Sequence, residues 1–411
     1  MSGCPFINSS AASPTSSDAT NAGSSSSSSS APAASCHYSD YLALGTVLSA
    51  QNGAAPAKPG GQGMMHHEEN LFVLVHQGFE LWFKMVLVDL DKCRELLAGI
   101  AAQIAAGQSS SSSSASAAAT TTTATAAATA PSTTGVINGK LLECHKHLRR
   151  MEQIILHATN AFAILETMHC VDFLEFRDFL QPASGFQSVQ FRKLEKELGV
   201  QDESRGKVND ADVFSFLRTE EQETLAAVDT SQSISNIVTR ILASVAVPCD
   251  FVETFVQCAG RAKGDAADPK ARKSIEAYCG NLRTILGDPV GWCEGIVLKT
   301  DEEREQFRKS VVACLYIYQY RQEPDCAGIA AVIEQLVAIE ESLLMWLSRH
   351  MHMAERTIGR RSGTANTSGV GYLNFTRGYR IFHALWLVRT LTIRSSALPP
   401  LACGESLFSS L

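Results

Sequence analysis

Two histidines stand apart from the rest of the eleven in this chain. His76 and His350 each lie inside an apolar stretch with helical periodicity, whereas His66 and His67 belong to the polar run His-His-Glu-Glu, and His145 and His147 sit beside Cys144 among Lys146, Arg149 and Arg150. The His66 run is not the metal-binding order H-E-x-x-H and precedes a helix, and a crowd of cations is a poor site for a divalent metal. A solvated approach to a helix and an exposed helix face are therefore expected at these two places. At 3.6 residues per turn, Phe72, His76, Glu80 and Phe83 share one face, while Leu343, Trp346, His350 and Thr357 share another. A neutral imidazole in an aromatic, water-poor slot is what haem iron takes as an axial ligand, and a second histidine above the ring can meet dioxygen or a substrate N–H. A lone core histidine is more often a hydrogen-bonded packing residue, and spacing alone favours that reading.

Arg177 is the next residue of interest. It stands among Phe173, Phe176 and Phe179 and precedes a Pro-Ala-Ser-Gly turn. A planar guanidinium presented from an aromatic wall suits a carboxylate; pairing at the surface with Asp172, Glu175 or Asp178 is the equal alternative. Arg360 to Leu373 form a Gly/Ser/Thr loop whose N–H groups and hydroxyls could meet an anion or a zwitterion. The loop lacks the G-K-[ST] ending of a phosphate loop, and Gly369-Val370-Gly371 lacks the third glycine and preceding strand of a dinucleotide site, so a flexible structural loop is the plainer reading.

These residues need long helices to position them, and the apolar period supplies them. The pattern i, i+3, i+4, i+7 runs from Leu71 to Ile104, from Leu141 to Cys170, from Ser233 to Ala246, from Glu302 to Tyr320 and from Ala327 to about Gly359, where the glycine marks a C-terminal stop. Strand signals are nearly absent, so an all-α fold is expected. Gly199 to Val208 and Gly260 to Lys270 read as loops. Residues 1–36 and 108–135 are dominated by Ser, Ala and Thr, the first a disordered leader and the second an expanded helix-to-helix loop. Residues 37–107 and 136–405 then form one large helical domain, with a tail at 406–411.

Composition limits the functions open to such a domain. The 411 residues are 45% hydrophobic and 19% charged, with net charge −7, and show no basic stripe interleaved with aromatics; a nucleic-acid surface is not expected. No run of about 18 uncharged apolar residues and no signal-peptide pattern is visible, which points to a soluble cytoplasmic protein without membrane partners. The twelve cysteines are scattered singly, with no C-x-x-C pair. They read as small buried hydrophobes of a reducing compartment. The sequons at Asn8, Asn366 and Asn374 are uninformative without a signal peptide.

Taken in order, the blocks YSDYLALGTVLSAQ, HQGFELWFK, ILETM, DFLEFRDFLQPASGFQSVQFRKLE, His350 followed by ER-x-IG, GT-x-x-x-SG and LWLVRT resemble the tryptophan 2,3-dioxygenase family from Tyr38 to Thr390, the 108–135 tract omitted. The resemblance implies an all-helical haem b enzyme, normally a homotetramer, that uses ferrous iron and dioxygen to convert L-tryptophan to N-formyl-L-kynurenine. Carried over by motif, His350 would be the proximal iron ligand, with Trp346 beside the haem, and His76 the distal residue meeting the indole N–H. Phe72 and Phe173 would pack on the indole and Arg177 would pair with the substrate carboxylate. Thr364 and Ser184 would hold the ammonium end and a haem propionate. Tyr38, Tyr41 and Leu42 match a segment that reaches into a neighbouring subunit's pocket.

The chain departs from the family pattern at two places. The loop usually written G-T-G-G-S-S-G reads Gly363-Thr364-Ala365-Asn366-Thr367-Ser368-Gly369, and Leu347 stands where the family usually has Arg. Both changes motivate a second reading, a haem-binding or tryptophan-sensing relative with little turnover.

Overall fold

The structure, a computed structural model, describes residues 37–51, 67–113, 133–202, 213–264, 268–364 and 369–401. These fall into two compact units, one ending at Ala50 and the other beginning at Gln51. The first holds two single-turn helices, α1 (Tyr38–Tyr41) and α2 (Leu44–Val47); the His37 ring caps α1 by accepting from the Ser39 N–H. In the second, the helices are α3 (His67–Ser113), α4 (Thr133–Leu165), α5 (Cys170–Arg177), α6 (Val189–Leu198), α7 (Thr219–Ala226), α8 (Ile234–Ala243), α9 (Phe251–Lys263), α10 (Pro269–Gly287), α11 (Asp301–Gln319), α12 (Pro324–Ile358), α13 (Gly369–Thr376) and α14 (His383–Leu391). Among the described residues there is no strand, so the all-α expectation holds.

Three long helices build the frame. Phe79, Phe83, Val86, Leu90, Leu97, Ile100 and Ile104 bury one face of α3, while Ile137, Leu141, Leu148, Met151, Ile155 and Phe162 bury the face of α4 that it meets. Helix α4 also packs along α12, and Leu141 and Phe162 touch that helix as well. By length and composition α3 could also cross a membrane over His67–Ala106; here its buried face packs on α4, α6 and α8. Helix α11 is buried on every side from Val311 to Gln319, as a helix apolar all round should be. The Ser/Ala/Thr tract is helical at its edges, since α3 runs on through Ser113 and α4 starts at Thr133. Extending an anchored helix needs no new nucleus.

Several boundaries differ from those read off the period. The stretch expected to run from Leu141 to Cys170 is two helices, because the chain turns between Leu165 and Cys170 and bends by 93°. At that turn Thr167 Oγ1 bonds back to the Ile164 carbonyl at 2.7 Å and His169 caps α5 through Val171 N at 3.3 Å. Gly260 to Lys263, expected in a loop, continue α9; a Cβ at Gly260 would stand 2.8 Å from Cys279 Sγ, so the missing side chain lets α10 approach. The stop at Gly359 is as expected, with φ +59°, a conformation disfavoured for residues with a Cβ, and Pro324 opens the same helix at its first turn.

The cationic segment of α4 is also corrected. Cys144 is fully buried, and the His147 ring bonds to the buried carboxylate of Asp89 on α3 at 2.6 Å, with Arg150 at 3.2 Å from the same oxygen. A countercharge on the facing helix turns what reads locally as an exposed face into part of the contact. His67, by contrast, is exposed as a solvated helix entry should be and opens the first turn of α3, where Glu68 and Glu69 complement the helix dipole, while His66 lies outside the described residues.

Candidate functional site

Four helices converge on a set of aromatic rings. From α3 come Phe72, His76, Phe79 and Phe83; from α12, Trp346 and His350; from α4, Phe162; and from α5, turned across by the 93° bend, Phe173, Phe176 and Arg177. Phe79 stands 4.9 Å from Phe162 and 5.9 Å from Trp346 between ring centroids, and Phe72 stands 5.8 Å from Phe173 and 5.9 Å from Phe176. The side chains of Met168, Phe173 and Phe176 form a small apolar cluster with Phe72 and Ile358, and Phe72 joins it to the main core.

The two histidines singled out by their context face this aromatic space. His76 Nδ1 lies 2.7 Å from the Phe72 carbonyl. A carbonyl can only accept, so Nδ1 carries the proton and Nε2 keeps its lone pair. Burial lowers the His76 pKa, against opposing effects of the Phe72 hydrogen bond and of Glu80, and so keeps the ring neutral. His350 is pushed down to about 4, by burial first, with smaller electrostatic contributions from the nearby His76 and Arg192 side chains. Its Nδ1 is buried with no hydrogen-bond partner, and its ring lies nearly parallel to Phe162, at 9° and 5.4 Å, with Trp346 at 5.2 Å. Glu80, on the same face in the sequence pattern, is taken by Gln190, whose amide donates to its carboxylate at 2.8 Å.

Arg177 is half-buried and does not take the surface pairing. It forms no ion pair with Asp172, Glu175 or Asp178; its Nη2 donates to the Ser362 carbonyl, and its Nε is buried without a partner. The same loop is tied again where Thr364 Oγ1 donates to the Ala183 carbonyl at 2.5 Å. Ser184, next to Ala183, accepts from Phe186 N at 3.4 Å as the cap of the one-turn helix Gly185–Gln187, which leaves its hydroxyl proton free to donate. Tyr38, Tyr41 and Leu42 are exposed in the first unit. Ala365 and Asn366 lie outside the described residues, and Leu347 is a core residue, 2% exposed. The charge near it belongs to Arg349, 2.5 Å from Glu166, with Arg356 at 3.8 Å from the same carboxylate oxygen.

Sequence reasoning passed over three groups. Phe162 was one apolar position among many on α4. Glu166, with its two arginines, has no local signature. The third is a buried network on α6, α13 and the segment after α13, in which Arg192 meets Glu195 at 2.8 Å and the Tyr372 hydroxyl at 3.4 Å, and Tyr372 meets Tyr379 at 3.4 Å. In the sequence Arg192 differs from any surface arginine only by following Phe191.

Among the described residues no three His, Cys, Asp or Glu side chains gather as a metal site. What is present suits a haem instead, which needs one neutral imidazole, aromatic walls and donors for its carboxylates. His350 has the unpartnered ring, and Trp346 Nε1 and Arg192 Nε are buried donors with no partner of their own.

The site is thus an all-helical, aromatic-lined one, with two histidines whose pKa burial lowers and an arginine with an unpartnered Nε on the adjoining helix. The tryptophan 2,3-dioxygenase family profile matches residues 21–105, 124–249 and 295–392, and the chain belongs to that family. Tryptophan 2,3-dioxygenase 2 of Ralstonia nicotianae is 31% identical over 399 residues, covering 90% of this chain and 96% of that protein. Tryptophan 2,3-dioxygenase of Dictyostelium discoideum is 29% identical over 388 residues, covering 89% and 86%. Tryptophan 2,3-dioxygenase B of Danio rerio is 27% identical over 418 residues, covering 98% and 93%. The profile skips 250–294, which contains α9 and α10, so the likeness is less continuous than the sequence blocks imply.

Proposed function

We propose that the protein opens the indole ring of L-tryptophan with dioxygen to give N-formyl-L-kynurenine, using haem b. The C2–C3 bond of the indole breaks and both oxygen atoms enter the product. The observation that carries this reading is the tautomer of His76, a neutral ring with its proton committed to the Phe72 carbonyl and a lone pair left for a donor such as the indole N–H. Haem b, when bound, supplies the ferrous iron that activates dioxygen.

The chain's own residues hold and orient the substrate. No C–H of the indole is acidic enough to need a general base, so catalysis rests on orientation and exclusion of water. His76 Nε2 accepts the indole N–H, and Phe72 and Phe173 pack on the ring. Arg177 pairs with the carboxylate through the edge that Ser362 does not use. Thr364 and Ser184 serve the ammonium end and a haem propionate, and His350 with Trp346 holds the haem.

The same proposal makes the protein a cytoplasmic homotetramer. Leu74, Leu81 and Val88 recur every seventh residue on α3 and are 45%, 59% and 55% exposed, an unpartnered apolar stripe of coiled-coil spacing. Tyr38, Tyr41 and Leu42 would then serve a neighbouring subunit's pocket.

The experiment mixes anaerobically reduced, haem-loaded protein with L-tryptophan and oxygen and follows formylkynurenine by its near-ultraviolet absorbance. Product formation with a Soret band that His350→Ala abolishes is the expected result. Haem and tryptophan binding without product would instead identify a sensor, and absence of a Soret band would exclude haem.

A further inference from the structure

A ligating histidine is ordinarily oriented by a hydrogen bond from its second ring nitrogen to a carboxylate or carbonyl. His350 has no such partner, since its Nδ1 is buried and unbonded. What lies against the ring is Phe162, nearly parallel at 9° with centroids 5.4 Å apart, an offset-stacked arrangement. Phe162 is itself immobilised: it is 1% exposed and packs against Phe79 at 4.9 Å and Trp346 at 5.4 Å. Trp346 meets His350 at 5.2 Å and 52°, so the three ring centroids form a near-equilateral triangle and the imidazole meets a parallel ring and a tilted one side by side.

We propose that Phe162 is the positioning residue of the proximal ligand: its ring plane, in place of a hydrogen bond, sets the rotation of the His350 imidazole about Cβ–Cγ. Turning the imidazole out of this plane drives its edge into the Phe162 face, and Phe79 and Trp346, packed against Phe162, resist its displacement. The ligand nitrogen is thereby aimed by packing alone. The inference rests on His350 being the haem ligand.

The test uses the full-length haem-loaded protein and reads the iron–imidazole stretching band of the ferrous form by resonance Raman, together with the rate of haem loss to an apoglobin acceptor. Phe162→Leu keeps an apolar side chain of similar size but removes the plane. The band should broaden and shift and haem loss should accelerate about tenfold, the upper range for an aromatic pair. Phe162→Tyr keeps the plane and should retain the wild-type band. Phe255→Leu, at an equally buried phenylalanine on α9, controls for general loss of stability and should leave the band unchanged. If Phe162→Leu does not fold, Phe162→Met serves in its place. A wild-type band in the Leu or Met variant, or a broadened band in the Tyr variant, overturns the inference. Wild-type protein lacking a Soret band, or retaining it in His350→Ala, overturns instead the assignment on which the inference rests.

Discussion

Replacing Arg177 by Ala isolates the carboxylate pocket. Two interactions are lost together: the bond from Nη2 to the Ser362 carbonyl, and the pairing of the remaining guanidinium edge with the substrate carboxylate. The first, a charged donor on a neutral carbonyl, contributes about 1.5 kcal/mol and acts on the Gly359 to Thr364 loop. The second costs about 2 to 5 kcal/mol when one partner of a buried charge pair is truncated, and the partial exposure of Arg177 places it at the low end. About 2 kcal/mol corresponds to a roughly 30-fold rise in KM for L-tryptophan. Steady-state kinetics with L-tryptophan and with tryptamine, which lacks the carboxylate, separate the two losses. Loosening of the loop should affect both substrates alike, whereas the carboxylate pairing should affect only L-tryptophan, so the preference between them should collapse in the variant. Arg177→Lys keeps charge without the fork and should fall between. An unchanged KM, or an equal loss for both substrates, would refute the reasoning.

Three further expectations follow from single contacts. Because burial lowers the His76 pKa, the ring stays neutral below the ordinary value of about 6.5, and kcat/KM should hold through that pH and fall only in more acid solution. The sign for stability is the same: the contribution is present above the unfolded pKa and lost as pH falls through the folded one. An inflection at or above 6.5 that disappears in His76→Gln would contradict it. Glu340, 1% exposed, accepts the Ile381 and Phe382 N–H groups at 3.1 and 3.0 Å; Glu340→Ala leaves both unpaired and should lower stability by about 2 to 5 kcal/mol in thermal or denaturant unfolding. Leu81→Glu places a charge in the middle of the exposed α3 stripe and should shift the protein toward smaller assemblies in analytical ultracentrifugation; an unchanged sedimentation coefficient would remove that stripe from the interface.

Much of this protein is legible along the chain. The apolar period places the centres of the frame helices but not the outer ends of α3 and α4, and Gly359 stops α12 because it acts on its own backbone. The isolation of His76 and His350 among apolar residues marks them as unusual, and the motif series points to a family that the profile match bears out. These are local properties, written in residues three or four positions apart or in the dihedral preferences of one residue.

The remainder depends on which helices meet. Nothing near Arg177 in sequence says that it will pass over three adjacent carboxylates for the Ser362 carbonyl. Nothing near His147 says that Asp89 on another helix will take it out of solvent, and nothing near Phe162 distinguishes it from other core phenylalanines until α4 and α12 bring it against His350. Periodicity states which face of a helix is buried, but the partner of each side chain is set by the packing of whole helices and by the 93° turn between α4 and α5, which no short-range preference encodes. The sequence by itself therefore determined the helices and the candidates for chemistry; the tertiary structure decided which ring, carbonyl or charge each candidate meets, because those contacts join residues far apart in the chain.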